Sequence, residues 1–304
     1  MPVEITYSPW RELYWQLFEY DGDAWNDDVL LPWAEANQPS VRELGLIGRA
    51  EARRVVIPDD PDEYTPLEAL YVLSRILDVL IAPYQWPVSE PEPVLGDRWE
   101  GRLPAAGGYE AFCASLGCRR ITEESFHPFV HEIVTVIPAD DPAQPPSLEA
   151  EHWPGYFAGS LLLARAGVTV RAGAHWLTPG VAERSTLYWA WWRRNRSTHD
   201  RSHGWGGNSQ WRTDFRRDYW ADGQLFYNVD AARRANRAAG EELALDDRLE
   251  LLRYRCSTVR DHGPDVWVWD THWSEPVPRG GLSLLFNLPR RGQRVCPVLS
   301  RVSS

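Results

Sequence analysis

At 304 residues, 43% hydrophobic and 25% charged, the chain has the make-up of a globular protein, and no apolar run approaches the roughly 20 residues of a bilayer-spanning helix. All 32 basic side chains are arginine, and the absence of lysine excludes an internal Schiff base, lysine-bound pyridoxal phosphate and a P-loop lysine. A net charge of −11 disfavours nucleic acid as a partner.

The charge is unevenly spread. Residues 1–150 carry 27 acidic and 10 basic side chains, whereas residues 151–304 carry 16 and 22. The halves either attract each other within the fold, or present an acidic contact face and a basic anion site. The amino terminus, Met1-Pro2-Val3-Glu4, has neither the basic nor the apolar region of a secretory signal. Cys113, Cys118, Cys256 and Cys296 are too sparse for a disulfide scaffold. Reduced, mostly buried thiols in a cytoplasmic protein are the expectation.

In chain order, helices come first. Ser8-Pro9 suits an N-cap and first helical residue, and Trp10, Leu13, Tyr14, Leu17 and Phe18 follow at amphipathic spacing. Residues 41–54 read as a second helix, weakened by Gly45 and Gly48. Thr65-Pro66-Leu67-Glu68 is a capping box, and its apolar run reaches Leu80 and Ile81 before Pro83. Residues 83–107, rich in proline and acid, read as a long surface connection. A short helix from Tyr109 to Leu116 should stop at Gly117.

A proline cluster from Asp140 to Pro146 marks either a loop or a domain boundary. Beyond it, Ser160–Val170, Thr186–Trp192, Leu225–Val229, Leu249–Thr258, Val266–Trp269 and Leu282–Leu288 carry the β-branched and aromatic content of strands. Asp261-His262-Gly263-Pro264-Asp265 should turn a hairpin, and Ala231–Ala239 reads as an intervening helix. The predicted fold class is α+β: a mainly helical, acidic N-terminal region (1–137) packed against an antiparallel, strand-rich basic region (147–304). One continuous domain is the alternative to two.

The site candidates cluster in the second half. From Arg184 to Arg237 there are eleven arginines against five acids, with several tryptophans among them. Arginine offers a planar fork to phosphate or carboxylate, and tryptophan a face to a base or sugar. Residues 184–196 fit a ligand site and ordinary cation–π packing equally well. Residues 203–217, with Gly-Trp-Gly-Gly-Asn-Ser-Gln at their start, supply little to a core and read as a pocket wall. Trp205, Asn208, Gln210, Trp211, Arg212 and Arg216 are the ligand-binding candidates, and His203 the acid–base candidate. Gly204, Gly206 and Gly207 match no dinucleotide fingerprint, and no G-x-S-x-G elbow occurs.

Two histidine pairs, His127 with His131 and His199 with His203, have the four-residue spacing that shares a metal on a helix. On a strand, the same spacing puts them about 13 Å apart. His127-Pro128 and the run Ile133–Val136 favour a strand, so no structural metal is expected. These four residues stay as ligand candidates for a divalent ion, with Glu132 and Asp200 beside them.

Two functions from different classes fit. The first is a cytoplasmic enzyme or small-ligand protein holding an anionic, partly planar molecule such as a nucleotide. The second is a non-catalytic inhibitor or toxin-neutralising immunity protein that meets a basic protein partner through its acidic half.

Overall fold

Helix α1 (Pro9–Glu19) begins at Pro9, as the Ser8-Pro9 pair predicts, and buries Trp10, Leu13, Tyr14 and Leu17. The computed structural model describes residues 9–47, 65–85, 107–180, 182–185, 193, 217–229, 233–234 and 271–278. Trp10 lies against Trp33, ring centroids 4.6 Å apart, and Trp33 Nε1 donates to the Pro9 carbonyl at 3.0 Å. That contact ties α1 to a run that the sequence reading caught only in part. A π-helical stretch, Asn26–Leu30, passes into α2 (Leu31–Ala36), and α3 (Gln38–Ile47) follows. Pro39 sits in the first turn of α3, where a missing N–H breaks no helical bond, and Pro32 directly follows the π-helical turn, whose Leu31 N–H reaches back to the Asn26 carbonyl and carries the chain into α2.

Helix α4 (Thr65–Ile81) spans the predicted apolar run. Every side chain from Ala69 to Ala82 except Ser74 is buried. A helix apolar on all sides lies inside the protein. Helix α5 (Gly108–Ser115) ends at Gly117, whose φ of +69° suits glycine, and the Cys118 N–H reaches back to the Cys113 carbonyl at 3.0 Å.

The strands are β1 (Arg119–Arg120), β2 (His131–Pro138), β3 (Ser147–Trp153), β4 (Tyr156–Ala158), β5 (Leu161–Ala164), β6 (Ala166–Ala172), β7 (Asp218–Ala221), β8 (Gln224–Tyr227), β9 (Arg233–Arg234) and β10 (Thr271–Pro276). They form a seven-stranded sheet in the order β1-β4-β5-β7-β8-β10-β9 and a three-stranded sheet in the order β2-β6-β3. Pairing is antiparallel except for β2 with β6 and β9 with β10. Trp153, Tyr156, Ala158, Leu161 and Tyr219 share one core with residues of α1, α4 and α5. The architecture is α+β, with its helices mostly N-terminal and its sheets C-terminal.

The strand expected over Ser160–Val170 is two strands in different sheets, β5 and β6, with Arg165 at the corner. The β7–β8 hairpin closes through Asp222 and Gly223, at φ of 50° and 75°, the left-handed pair that a two-residue hairpin requires. The helix expected over 231–239 is overturned where it is described: Arg233 and Arg234 pair as a strand with Thr271 and His272. Residues 186–192, 249–258, 266–269 and 282–288, and the turn at 261–265, lie outside the described residues.

Two guards flank the three-stranded sheet. On β3, the pairing register with β6 shifts twice, between Leu148 and Ala150 and between Glu151 and Trp153. On β2, the Val136 N–H is taken by Glu183 Oε1 at 2.9 Å, from the short helix α6 (Ala182–Ser185).

Two glycines should answer substitution oppositely. In α3, a Cβ on Gly45 meets nothing within 4 Å, so Gly45→Ala is expected to raise unfolding free energy by about 0.5–1 kcal/mol. A Cβ on Gly155 would lie 2.4 Å from the Ala166 backbone nitrogen and 2.9 Å from the Ala164 carbonyl. Gly155→Ala should therefore cost about 1–3 kcal/mol, as overpacking does. Urea unfolding of the two variants checks both signs.

Candidate functional site

Four arginines and three carboxylates meet where α4, β2, β5 and β7 come together. Arg75 and Asp78 are neighbours on α4, and both are buried. Arg75 Nη1 donates to Asp78 Oδ2 and to the Arg193 carbonyl, each at 3.1 Å. Arg193 then closes the group: Nη1 donates to Asp78 Oδ1 at 2.8 Å, and Nη2 donates to both Glu132 oxygens at 2.8 and 2.9 Å. Its guanidinium lies 5.5 Å from the Trp153 ring centre, adding a cation–π contact.

A second pair adjoins the first. At the sheet corner, Arg165 Nε donates to the Pro128 carbonyl at 3.1 Å and Nη2 to Asp218 Oδ2 at 2.6 Å. The other Asp218 oxygen accepts the Asn228 N–H at 2.6 Å. Arg217 donates to the Tyr219 hydroxyl at 3.2 Å and lies against that ring. Burial pushes the Glu132 carboxyl up, against the downward pull of the Arg193 guanidinium.

Six of these side chains wall a cavity of about 60 Å³. Asp78, Glu132, Arg165, Arg193, Arg217 and Asp218 give it a charged side. Leu70, Leu77 and Ile81 of α4 and the β5 residues 161–164 give it an aliphatic one. Residues 70, 74, 77, 78 and 81 all contribute, one stripe along α4 at helical spacing.

Of the sequence-predicted site residues, His203, Trp205, Asn208, Gln210, Trp211, Arg212, Arg216 and His199 lie outside the described residues. Arg217, the last residue of the 203–217 run, lines the cavity, and so does Arg193 from the 184–196 run. The sequence reading passed over Arg75, Asp78, Arg165 and Asp218. A signal existed: Arg75 and Asp78 interrupt the apolar run of α4, and a charge in a helix with no wet face must find a partner.

The His127–His131 pair is not spaced as on a strand. Residues 128–130 form a turn before β2 begins, and the His131 N–H returns to the His127 carbonyl at 3.0 Å. The His127 N–H donates to His131 Nδ1 at 2.9 Å, and the Phe129 N–H approaches His127 Nδ1 at 3.2 Å. Backbone N–H groups thus occupy the Nδ1 atom of each ring. Among the described residues, no group of three or more histidine, cysteine, aspartate or glutamate side chains is arranged to hold a metal ion.

Cys113 and Cys118 are free thiols, and burial pushes both up, Cys118 to about 12, so neither is an activated nucleophile. No helix among the described residues is long and apolar enough to cross a membrane. Comparison with protein-family models, with curated proteins and with solved structures finds no match.

His131 gives this region a pH signature. Burial, reinforced by His127 and Arg165, lowers it from 6.5 to about 3. The unfolded chain takes up this proton below pH 6.5, and the folded chain does so only near pH 3. The favoured neutral form therefore stabilises the fold above pH 6.5, and that stability is lost as pH falls from 6.5 towards 3. The loss should reach about 1.4 kcal/mol per pH unit. In His131→Asn, which keeps an acceptor near Nδ1, urea unfolding at pH 6.5 and 4.5 should show a shallower fall than in the parent. Equal slopes would mean that His131 does not carry the effect.

Proposed function

We propose that the protein is a cytoplasmic small-ligand-binding protein and that its site, the arginine-walled cavity, holds an anionic group. One observation carries this reading. Three arginines (Arg165, Arg193 and Arg217) line the cavity with three carboxylates (Asp78, Glu132 and Asp218) at side-chain or residue exposures of 9% or less. Arg165 gives Nε to the Pro128 carbonyl and Nη2 to Asp218, and its Nη1 makes no hydrogen bond among the described residues, so this guanidinium keeps a donor for an anionic group in the adjoining cavity.

Chain continuity supports the same reading. Residues 194–216, which include His203 and the Trp205–Arg216 candidates, are flanked by Arg193 and Arg217, and both flanking residues line the cavity. A nucleotide exceeds a space of about 60 Å³, so only the anionic end of a ligand that large would enter. Acid–base chemistry by His203 would make the same site catalytic.

A second reading has its own observation. Over residues 9–47, Glu12, Glu19, Asp21, Asp23, Asp27, Asp28 and Glu35 are exposed, against an exposed Arg42 and a half-buried Arg11. Such a surface suits fast, salt-sensitive docking of a basic protein, as an immunity protein would need.

Thermal unfolding with sodium phosphate, sulfate, adenosine monophosphate and butyrate, at matched ionic strength, separates the two readings. At least one anion should raise the melting temperature saturably. In Arg217→Met, that response should weaken ten- to a hundredfold in affinity, the worth of a charge-assisted hydrogen bond of about 1.5–3 kcal/mol. If none of them stabilises the parent protein, the arginines are structural and the interaction reading takes precedence.

A further inference from the structure

Helix α5 closes in a Schellman motif, and the two positions that such a motif sets against each other are both cysteines. We propose that Cys113 and Cys118 are the site of an intramolecular disulfide, formed by exchange with a small disulfide such as oxidised glutathione. The bond would lock the end of α5 to the start of the seven-stranded sheet.

Backbone geometry is the first argument. The Gly117 N–H donates to the Ala114 carbonyl at 2.9 Å, and the Cys118 N–H donates to the Cys113 carbonyl at 3.0 Å. Gly117 between them is left-handed, at φ +69°. An apolar pair frequently packs together at the two outer positions of this motif, which here hold thiols. Standard bond lengths on either side of the 3.0 Å contact keep the two α-carbons within about 6.9 Å. That lies inside the roughly 7 Å beyond which two cysteines cannot be bridged without moving the backbone.

The surroundings of the two sulfurs are the second. Burial raises the Cys113 thiol most, and Cys118 is the next influence in the same direction, so each sulfur lies in the other's field. Cys113 is fully buried and Cys118 half-buried, so an external disulfide meets Cys118 first. The Cys118 thiolate attacks one sulfur of oxidised glutathione, forming a mixed disulfide and expelling one glutathione thiolate. The Cys113 thiolate then attacks the Cys118 sulfur, closing the internal bond and expelling the second. Two electrons pass from the protein to oxidised glutathione, and the two thiol protons end on the two glutathiones released.

Position in the chain is the third. Cys118 directly precedes β1, an edge of the larger sheet, while Cys113 belongs to the core that α5 shares with α1 and α4. Burial keeps both thiols protonated at neutral pH, so closure is slow. A thiol held that high is also a poor leaving group, so the bond once made resists reduction. The pair is a slow lock and not a fast sensor.

Equilibration of the full-length Cys256→Ser, Cys296→Ser protein with mixtures of reduced and oxidised glutathione, read by mass and peptide mapping, tests the assignment. A Cys113–Cys118 crosslink should form. Its equilibrium constant should fall at least tenfold in urea, where only the short chain between the cysteines holds them together. Closure should quicken about tenfold per pH unit from pH 7 to 9, because the Cys118 thiol ionises only at about 12. Cys113→Ala should stop at a glutathione adduct on Cys118, and Cys118→Ala, a change at a half-buried position, should yield no internal crosslink. A protein that stays reduced at every glutathione ratio overturns the proposal. So does an adduct that persists on Cys118 while Cys113 is present, or a crosslink no more favoured in the native protein than in urea.

Discussion

The bridging of Asp78 and Glu132 by Arg193 is the contact on which the described structure turns. Asp78 belongs to α4, which the core surrounds, and Glu132 belongs to β2 of the smaller sheet. A single guanidinium serves both carboxylates while its own carbonyl accepts from Arg75. The interior is too dry for any of these groups to be left alone, and removing one partner from a buried pair commonly costs about 3–5 kcal/mol. Helix, small sheet and residue 193 are therefore held as one unit. An apolar trio of equal volume would hold as well or better, so the charges themselves call for a reason beyond stability.

Arg165 performs the matching task on the sheet side. It stands between β5 and β6, where the chain leaves one sheet for the other. Its carbonyl accepts from Trp153 Nε1 at 3.0 Å, and its side chain reaches Pro128 and Asp218. Trp153 is fully buried, lies against Gly167, whose missing side chain makes room for the ring, and presents its face to Arg193. The two ionic groups are thus joined through one indole ring as well as through the cavity they share.

How far the sequence revealed this depends on the kind of signal. The stripe of α1 and the apolar run of α4 were legible because burial imposes a period that residue types obey. Of the α2–α3 run only the part from residue 41 was legible; Pro32 and Pro39 are poor helix formers by residue type, and the chain accepts them only because of where they fall in the run. One β-rich stretch, Ser160–Val170, hid two strands because alternation says nothing about which sheet a strand joins. Arg233 and Arg234 look helical by propensity, yet pairing with β10 overrides it. The arginine-rich stretch led to the cavity through Arg193 and Arg217, whereas the carboxylates opposite them come from distant parts of the chain. Only the fold brings residues 78, 132 and 218 together.

The two guards on the three-stranded sheet have a consequence for behaviour at high concentration. An open strand edge is a template on which a second chain can add its own strand, the first step towards fibrils. On β3, the two register shifts distort that edge, and Glu149 and Glu151 leave it through ion pairs with Arg171 and Arg120. On β2, Glu183 already occupies the Val136 N–H that an incoming strand would need. Folding leaves this sheet small and also leaves it a poor seed, so a crowded solution of native molecules has little to copy from it.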